Sequence, residues 1–169
     1  MKKFNVRFVS LVIIIWAADA FSKLWAVQTL SGSKTIKVFG SDLFRFHLVY
    51  NTGGVFGIAP GNAIFFQILT GLAITFLAVY YYKTLDNDNI FDMAVSFVLG
   101  GALGNFTDRF FRPGVVDFID MEFFDIPALG LYRWPTYNVA DAFISIGAVL
   151  MLVALIRIEK ARARQESSK

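Results

Sequence analysis

The chain contains no cysteine. That absence excludes disulfides, thiolate catalysis and cysteine-based metal sites, and leaves the redox compartment unmarked. There is a single histidine, His47. With no cluster of ligands around it, no metal or other cofactor is expected, and a place on a strand surface suits it best. Neither G-x-S-x-G nor H-E-x-x-H is present, so serine and zinc hydrolases lose their main support. Charge is scarce as well. Only 17% of the residues are charged, while 56% are hydrophobic and 19 are Phe. Soluble domains carry about 25% charged residues. The balance is that of a membrane protein, and the length of 169 residues suits one domain over 1–169.

Long apolar runs are what the chain does have. Four segments reach the ~20 residues that a bilayer span requires. They cover about 6–27, 62–82, 90–111 and 137–158, which predicts an all-α membrane protein built as a four-transmembrane-helix bundle. The first run carries on from Phe8 to about Val27 and holds Asp19 and Lys23 near its end. It is too long for a signal-peptide core, so a retained helix is expected. The polar tail from Glu159 is expected to fray. No internal repeat is visible.

Lys2, Lys3 and Arg7 precede the first run, and Arg157, Lys160, Arg162 and Arg164 follow the last. Four spans put both termini on one side, and these basic flanks make that side cytoplasmic. They suit contact with membrane lipids. Nucleic acid is not an expected partner, because no binding motif accompanies the charge.

This topology collects the unusual polar residues at one depth. Asp19 lies about 18 Å along helix 1 from Arg7, at 1.5 Å per residue, with Lys23 beyond it. Asn105, Asp108 and Arg109 come late in helix 3, Asn138 and Asp141 early in helix 4, and Asn51 and Asp117 in the two outer connections. All are expected near the extracytoplasmic interface. The connection over 28–61 has strand-like stretches, Thr35-Ile-Lys-Val-Phe and Leu43-Phe-Arg-Phe-His-Leu-Val-Tyr, around a turn at Gly40-Ser41-Asp42. They predict a small antiparallel β-sheet over about 34–58, with Phe44, Phe46, Leu48 and Tyr50 on one face. The glycines of 52–62 would permit a flap.

Asp117 and Asp141 stand out among these residues, because ionisable groups at the edges of apolar segments are costly and mark functional sites by default. Asp117 sits in Val115-Val116-Asp117-Phe118-Ile119, read as part of a loop. Asp120, Glu122 and Asp125 read instead as a solvated face. Asp141 also fits the N3 position of a helix whose N-cap is Asn138, a reading compatible with catalysis. Asp19 and Lys23 have the i, i+4 spacing of an intrahelical pair, and Lys23 can also snorkel to head groups. For Asp108 and Arg109 a buried ion pair with another element is expected, and Gly100, Gly101 and Gly104 form a face for close helix approach. If Asp117 and Asp141 meet, repulsion keeps both from ionising near neutral pH. One can then activate water while the other donates a proton, with the roles unassigned because the pair titrates as a unit. A proton- or ion-coupled transporter with a carboxylate relay, a structural membrane protein and a presenilin-type protease are the alternatives. The last lacks its G-x-G-D motif.

Several of these stretches together resemble the bacterial lipoprotein signal peptidase family, the type II signal peptidases. Asp19-Ala-Phe-Ser-Lys23 resembles the D-x-x-S-K motif, Tyr50-Asn51-Thr52-Gly53 the Y-N-T-G motif, and Gly100-Gly-Ala-Leu-Gly104-Asn105-Phe-Thr-Asp108-Arg109 the G-G-x-x-G-N-x-x-D-R signature. Val116-Asp117-Phe118 and Asn138-Val-Ala-Asp141 resemble the two catalytic motifs. The match runs almost end to end. Ala20 departs from the usual Gln, and Gly54 and Gly57 from the usual Ala and Ser. The resemblance implies an inner-membrane aspartyl endopeptidase that removes signal peptides from diacylglyceryl-modified prolipoproteins, cutting on the N-terminal side of the lipidated cysteine. Asp117 and Asp141 would be catalytic. Asn51, Asn105, Arg109, Asn138, Asp19 and Lys23 would bind substrate or support the pair. A monomer is expected.

Overall fold

The computed structural model describes residues 5–40, 42–53, 63–84, 88–122 and 133–167. Ser41 of the expected turn, Asp125, Gly54, Gly57 and the rest of the expected flap beyond Gly53 lie outside these residues. Four helices dominate: α1 (Val6–Leu30), α2 (Ala63–Lys83), α3 (Asn89–Phe111) and α4 (Val139–Glu166). Each is long and apolar enough to cross a membrane. Three of the helix starts are fixed by side chains that accept from otherwise orphaned backbone N–H groups. Asn5 accepts from Phe8, Asp88 from Phe91 and Asn138 from Asp141. α4 runs on to Glu166, so the tail expected to fray is helical. Its Glu, Lys, Arg, Ala and Gln residues are good helix formers.

The central helix is α3. Of its most apolar stretch 44% is buried against protein, compared with 22% for α1, 17% for α4 and 6% for α2. Glycines on α3 let both neighbours approach. A Cβ at Gly100 would stand 2.8 Å from Ile15 Cβ of α1, and one at Gly101 would stand 2.5 Å from the Ala140 carbonyl of α4. The apolar core at one end of the bundle joins Phe8, Tyr81, Phe91, Val95, Leu99 and Ala154. There the Phe8 and Tyr81 rings stack at 3.9 Å.

At the other end lies a three-stranded antiparallel sheet in the order β1 (Thr35–Lys37), β2 (Phe44–Asn51), β3 (Val115–Met121). Val116 and Phe118 of β3 pack on Ala26 and Leu30 of α1, with Val139 of α4 alongside. This seats the sheet where α1 ends and α4 begins. Ahead of β2 the chain turns through Phe39 and Gly40, whose φ angles of 55° and 68° are in the left-handed region.

Two expectations change here. First, Asp117 is in a strand, not a loop, because β3 comes from the α3–α4 connection and pairs with β2 more than sixty residues earlier. Second, the alternation of β2 is broken. Phe46 pairs with Ile119 and Val49 with Asp117, so two β2 residues face one of β3 between them. Tyr50 stands opposite Val116, an odd step from Ile119, and so falls on the other side of the sheet from Phe46. The same bulge brings Asn51 opposite Val115, on the face that carries Asp117.

Candidate active site

Asp117 and Asp141 are joined through asparagine amides. Asp117 Oδ1 accepts from Asn138 Nδ2 at 2.7 Å, and its Oδ2 accepts from Asn51 Nδ2 at 3.0 Å. Asp141 Oδ1 accepts from Asn105 Nδ2 at 2.7 Å, and its Oδ2 accepts from the Asn138 backbone N–H at 3.3 Å. Asn138 therefore donates to both carboxyl groups. It also donates to Asn105 Oδ1 at 3.1 Å, which closes the network. Its own Oδ1 accepts from the Asp141 N–H at 2.9 Å, so Asn138 and Asp141 form a complete capping box. The helix-cap reading and the site are thus one object.

Local structure explains each placement. β2 ends at Asn51, where the Gly53 N–H donates to Asn51 Oδ1 at 3.0 Å and turns the chain. Close approach continues at Gly114, where a Cβ would lie 2.6 Å from the Asn51 carbonyl. Asp117 extends from β3 and is only 2% exposed. Burial raises its pKa to about 7; the charge of Asp141 adds to the rise, and the Asn51 and Asn138 amides and Lys23 oppose it.

Behind the pair lies a buried ionic cluster. Lys23 is fully buried, which overturns the snorkelling expectation. It makes the i, i+4 pair with Asp19 at 2.7 Å, pairs with Asp108 at 2.9 Å and donates to Asn105 Oδ1 at 2.8 Å. Three acceptors inside the protein, two of them carboxylates, satisfy the ammonium without solvent. Asp19 Oδ1 accepts from the Ala140 N–H of α4 at 2.9 Å. Asp108 accepts from the Val116 N–H at 3.1 Å and pairs with Arg112, tying the end of α3 to β3. Arg109 behaves differently from the expected ion pair. Its Nη1 donates to the Asn105 carbonyl at 3.1 Å, and among the described residues it has no ion pair. Arg109 nonetheless lies close enough to feel the charges of Asp141, Asp117 and Asp108.

Other residues lie apart from this network. Asp120 is 3% exposed and pairs with Arg45 and Arg133, and Arg133 also reaches Glu122. Asp120 is therefore a buried tie between β2, β3 and the segment before α4, not part of a solvated face. His47 Nδ1 stands 3.2 Å from Thr35 Oγ1 across the β1–β2 pair. The role of Arg112 escapes the sequence reading, although its i, i+4 spacing from Asp108 is the available signal. The contribution of the Ala140 N–H has no sequence signal, being a main-chain group.

Comparison with known proteins follows this geometry closely. Residues 11–157 match the family model described as Signal peptidase (SPase) II. A lipoprotein signal peptidase of Halothermothrix orenii is 34% identical over 149 residues, covering 88% of this chain and 94% of the relative. One from Treponema denticola is 39% identical over 152 residues, covering 86% of each. A solved structure described as a bacterial membrane enzyme superposes with a TM-score of 0.78 at 28% identity, covering 92% of this chain and 91% of the other.

Proposed function

The chain belongs to the signal peptidase II family, and from that premise we propose that Asp117 and Asp141 are the catalytic pair with which it cuts its substrate. Membership makes it an aspartic-type peptidase that removes signal peptides from prolipoproteins, with four membrane-crossing helices. The transporter reading has no support. The observation that carries the proposal is that Asn138 donates to both carboxyl groups, holding two acids in one amide network.

Chemically the pair shares one proton near neutral pH. The ionised carboxylate takes a proton from water as the water oxygen bonds to the scissile carbonyl carbon. The protonated carboxyl gives its proton to the carbonyl oxygen. The carbon–nitrogen bond of the resulting diol then breaks as the amine takes up the proton first removed from water, while one diol hydroxyl returns its proton to the other carboxylate and becomes the carbonyl of the new carboxyl group. No covalent intermediate forms, and each proton transfer contributes about 10²–10⁴-fold.

Asn51, Asn105, Asn138, Asp19 and Lys23 support the pair, and Arg109 is left for substrate. The substrate is a diacylglyceryl-modified prolipoprotein, cut on the N-terminal side of the lipidated cysteine. The protein acts as a monomer in the bacterial inner membrane. In favour of this, a single chain supplies every member of the network. Both termini are cytoplasmic and the site and sheet are extracytoplasmic. The basic flanks support that orientation, because Arg7 of α1 and Arg157, Lys160, Arg162 and Arg164 of α4 lie at the helix ends away from the site.

The test replaces each acid singly. Asp117→Asn and Asp141→Asn should each lower cleavage of a lipidated precursor by about 10³-fold or more while keeping helix content. Wild-type turnover by either folded variant would overturn the pair.

A further inference from the structure

We propose that Lys23 is a positioning residue that acts through the Asn105 amide to hold Asp141 as the ionised member of the pair, making Asp141 the base that activates water and Asp117 the acid. The inference rests on the catalytic pair proposed above.

The two ends of an asparagine amide have nearly the same shape, so only the chemistry of its neighbours decides which end points where. Two of the three asparagines are oriented by main-chain donors. The Gly53 N–H addresses Asn51 Oδ1, and the Asp141 N–H addresses Asn138 Oδ1. Each therefore turns its NH₂ towards Asp117. Asn105 is in the interior of α3, where the main-chain N–H groups are engaged in the helix. The charged donor that faces its oxygen is Lys23, at 2.8 Å.

An ammonium has three donors and no acceptor. Lys23 gives them to Asp19, Asp108 and Asn105. Asn138 Nδ2 fills the second lone pair of Asn105 Oδ1. That oxygen is then saturated, and the amide can offer Asp141 only N–H. Were Asp141 protonated on Oδ1, its hydroxyl would point at a donor. A flipped Asn105 would relieve this, but it would set NH₂ against the ammonium.

The remaining groups around Asp141 divide by sign. From α4 itself come the Asn138 N–H and the helix N-terminus, both favouring the anion. From α3 come Arg109, which favours it, and Asp108, which is already paired with Lys23 and Arg112. From β3 comes Asp117, the one carboxyl of the pair's network that opposes it. From α1 come Lys23 and Asp19, the latter paired with Lys23 and held by the Ala140 N–H. Asp117 has neutral amides as its hydrogen-bond partners, from Asn51 and Asn138. The shared proton accordingly resides on Asp117. In the reaction Asp141 takes the proton from water as the oxygen–carbon bond forms, and the Asp117 proton passes to the carbonyl oxygen.

The test is the pH dependence of cleavage by full-length protein in lipid, using a lipidated precursor peptide. Lys23→Met removes the orienting donor at nearly constant volume. Because it strands the charge of Asp19, whose ion pair is with Lys23 while Asp108 keeps Arg112, the companion Lys23→Met/Asp19→Asn keeps the cluster closer to neutral and safeguards folding. In either folded protein, kcat should fall about 10- to 100-fold with KM within about twofold. The acid limb of the pH–rate profile should move up by about one pH unit. Adding Asn105→Leu to Lys23→Met should cost little beyond Asn105→Leu alone, because the two act in series. A lowered rate with an unmoved acid limb and additive losses would reduce Lys23 to a packing role and overturn the proposal. Unchanged kcat would overturn it too. Failure of the pair itself would show separately, as activity in the Asp117→Asn or Asp141→Asn proteins.

Discussion

Asp117 is held under opposing demands. Its site must be dry enough to keep a proton, yet three amide or cationic neighbours stabilise the ion. The balance leaves its pKa at about 7, well above the usual carboxylate range. Because the folded value is the higher one, this group favours folding most below about pH 4, and its contribution is lost as pH rises through about 7. A non-titrating residue escapes that loss. Measured by thermal unfolding in detergent, Asp117→Asn should therefore gain on the wild type by about 2 kcal/mol between pH 5 and pH 8. A difference that shrinks with pH would show that the carboxyl is not destabilised by burial. At this scale the sequence reading goes far. Carboxyls bordering apolar runs are conspicuous in the chain, and so are Asn51, Asn105 and Asn138. What it cannot supply is which amide end meets which oxygen, since that depends on donors such as the Gly53 N–H. Nor does it show that Lys23 finds three internal partners, because two of them arrive from α3.

Among the elements, the contact of α1 with α3 is the tightest constraint on the site. Gly104 faces Asp19, and a Cβ there would run into the Asp19 carboxylate. Gly104→Ala must push Asp19 away from the Ala140 N–H, and with it the start of α4. Overpacking of this kind costs about 1–3 kcal/mol. The variant should unfold at lower temperature and lose more activity than Gly100→Ala, whose Cβ comes nearest to Ile15 and the Val12 carbonyl of α1. Equal activity in the two would mean that the approach of α1 does not set the site. The four helices are legible because length and apolar content alone define them. β3 is not, because a seven-residue strand with two acids has no clean alternation and its partner is distant in sequence. The bulge in β2 is hidden for a related reason. Register is a property of two strands, and Phe44-Arg45-Phe46-His47-Leu48 taken singly reads as regular alternation.

For the whole molecule, the separation of a packed apolar end, around Phe8 and Tyr81, from a polar end that holds Asp117 and Asp141 predicts sidedness. The absence of cysteine provides a clean background for measuring it. A cysteine placed at Ser33, exposed beside the sheet, should react with a membrane-impermeant maleimide in intact cells whose outer membrane is opened. One at Glu166, exposed at the far end of α4, should react only after the inner membrane is breached. The reverse pattern would invert the proposed topology.

The hydrogen bond from Ala140 to Asp19 joins residues 121 positions apart, and that distance has a consequence for how the protein is made. While α1 is already synthesised and α4 is still to come, Asp19 and Lys23 can neutralise each other within one helix turn. A charged helix can thus wait in the bilayer without its final partner. The two carboxyls and their three asparagines come together only once α4, which brings Asn138 and Asp141, has been made.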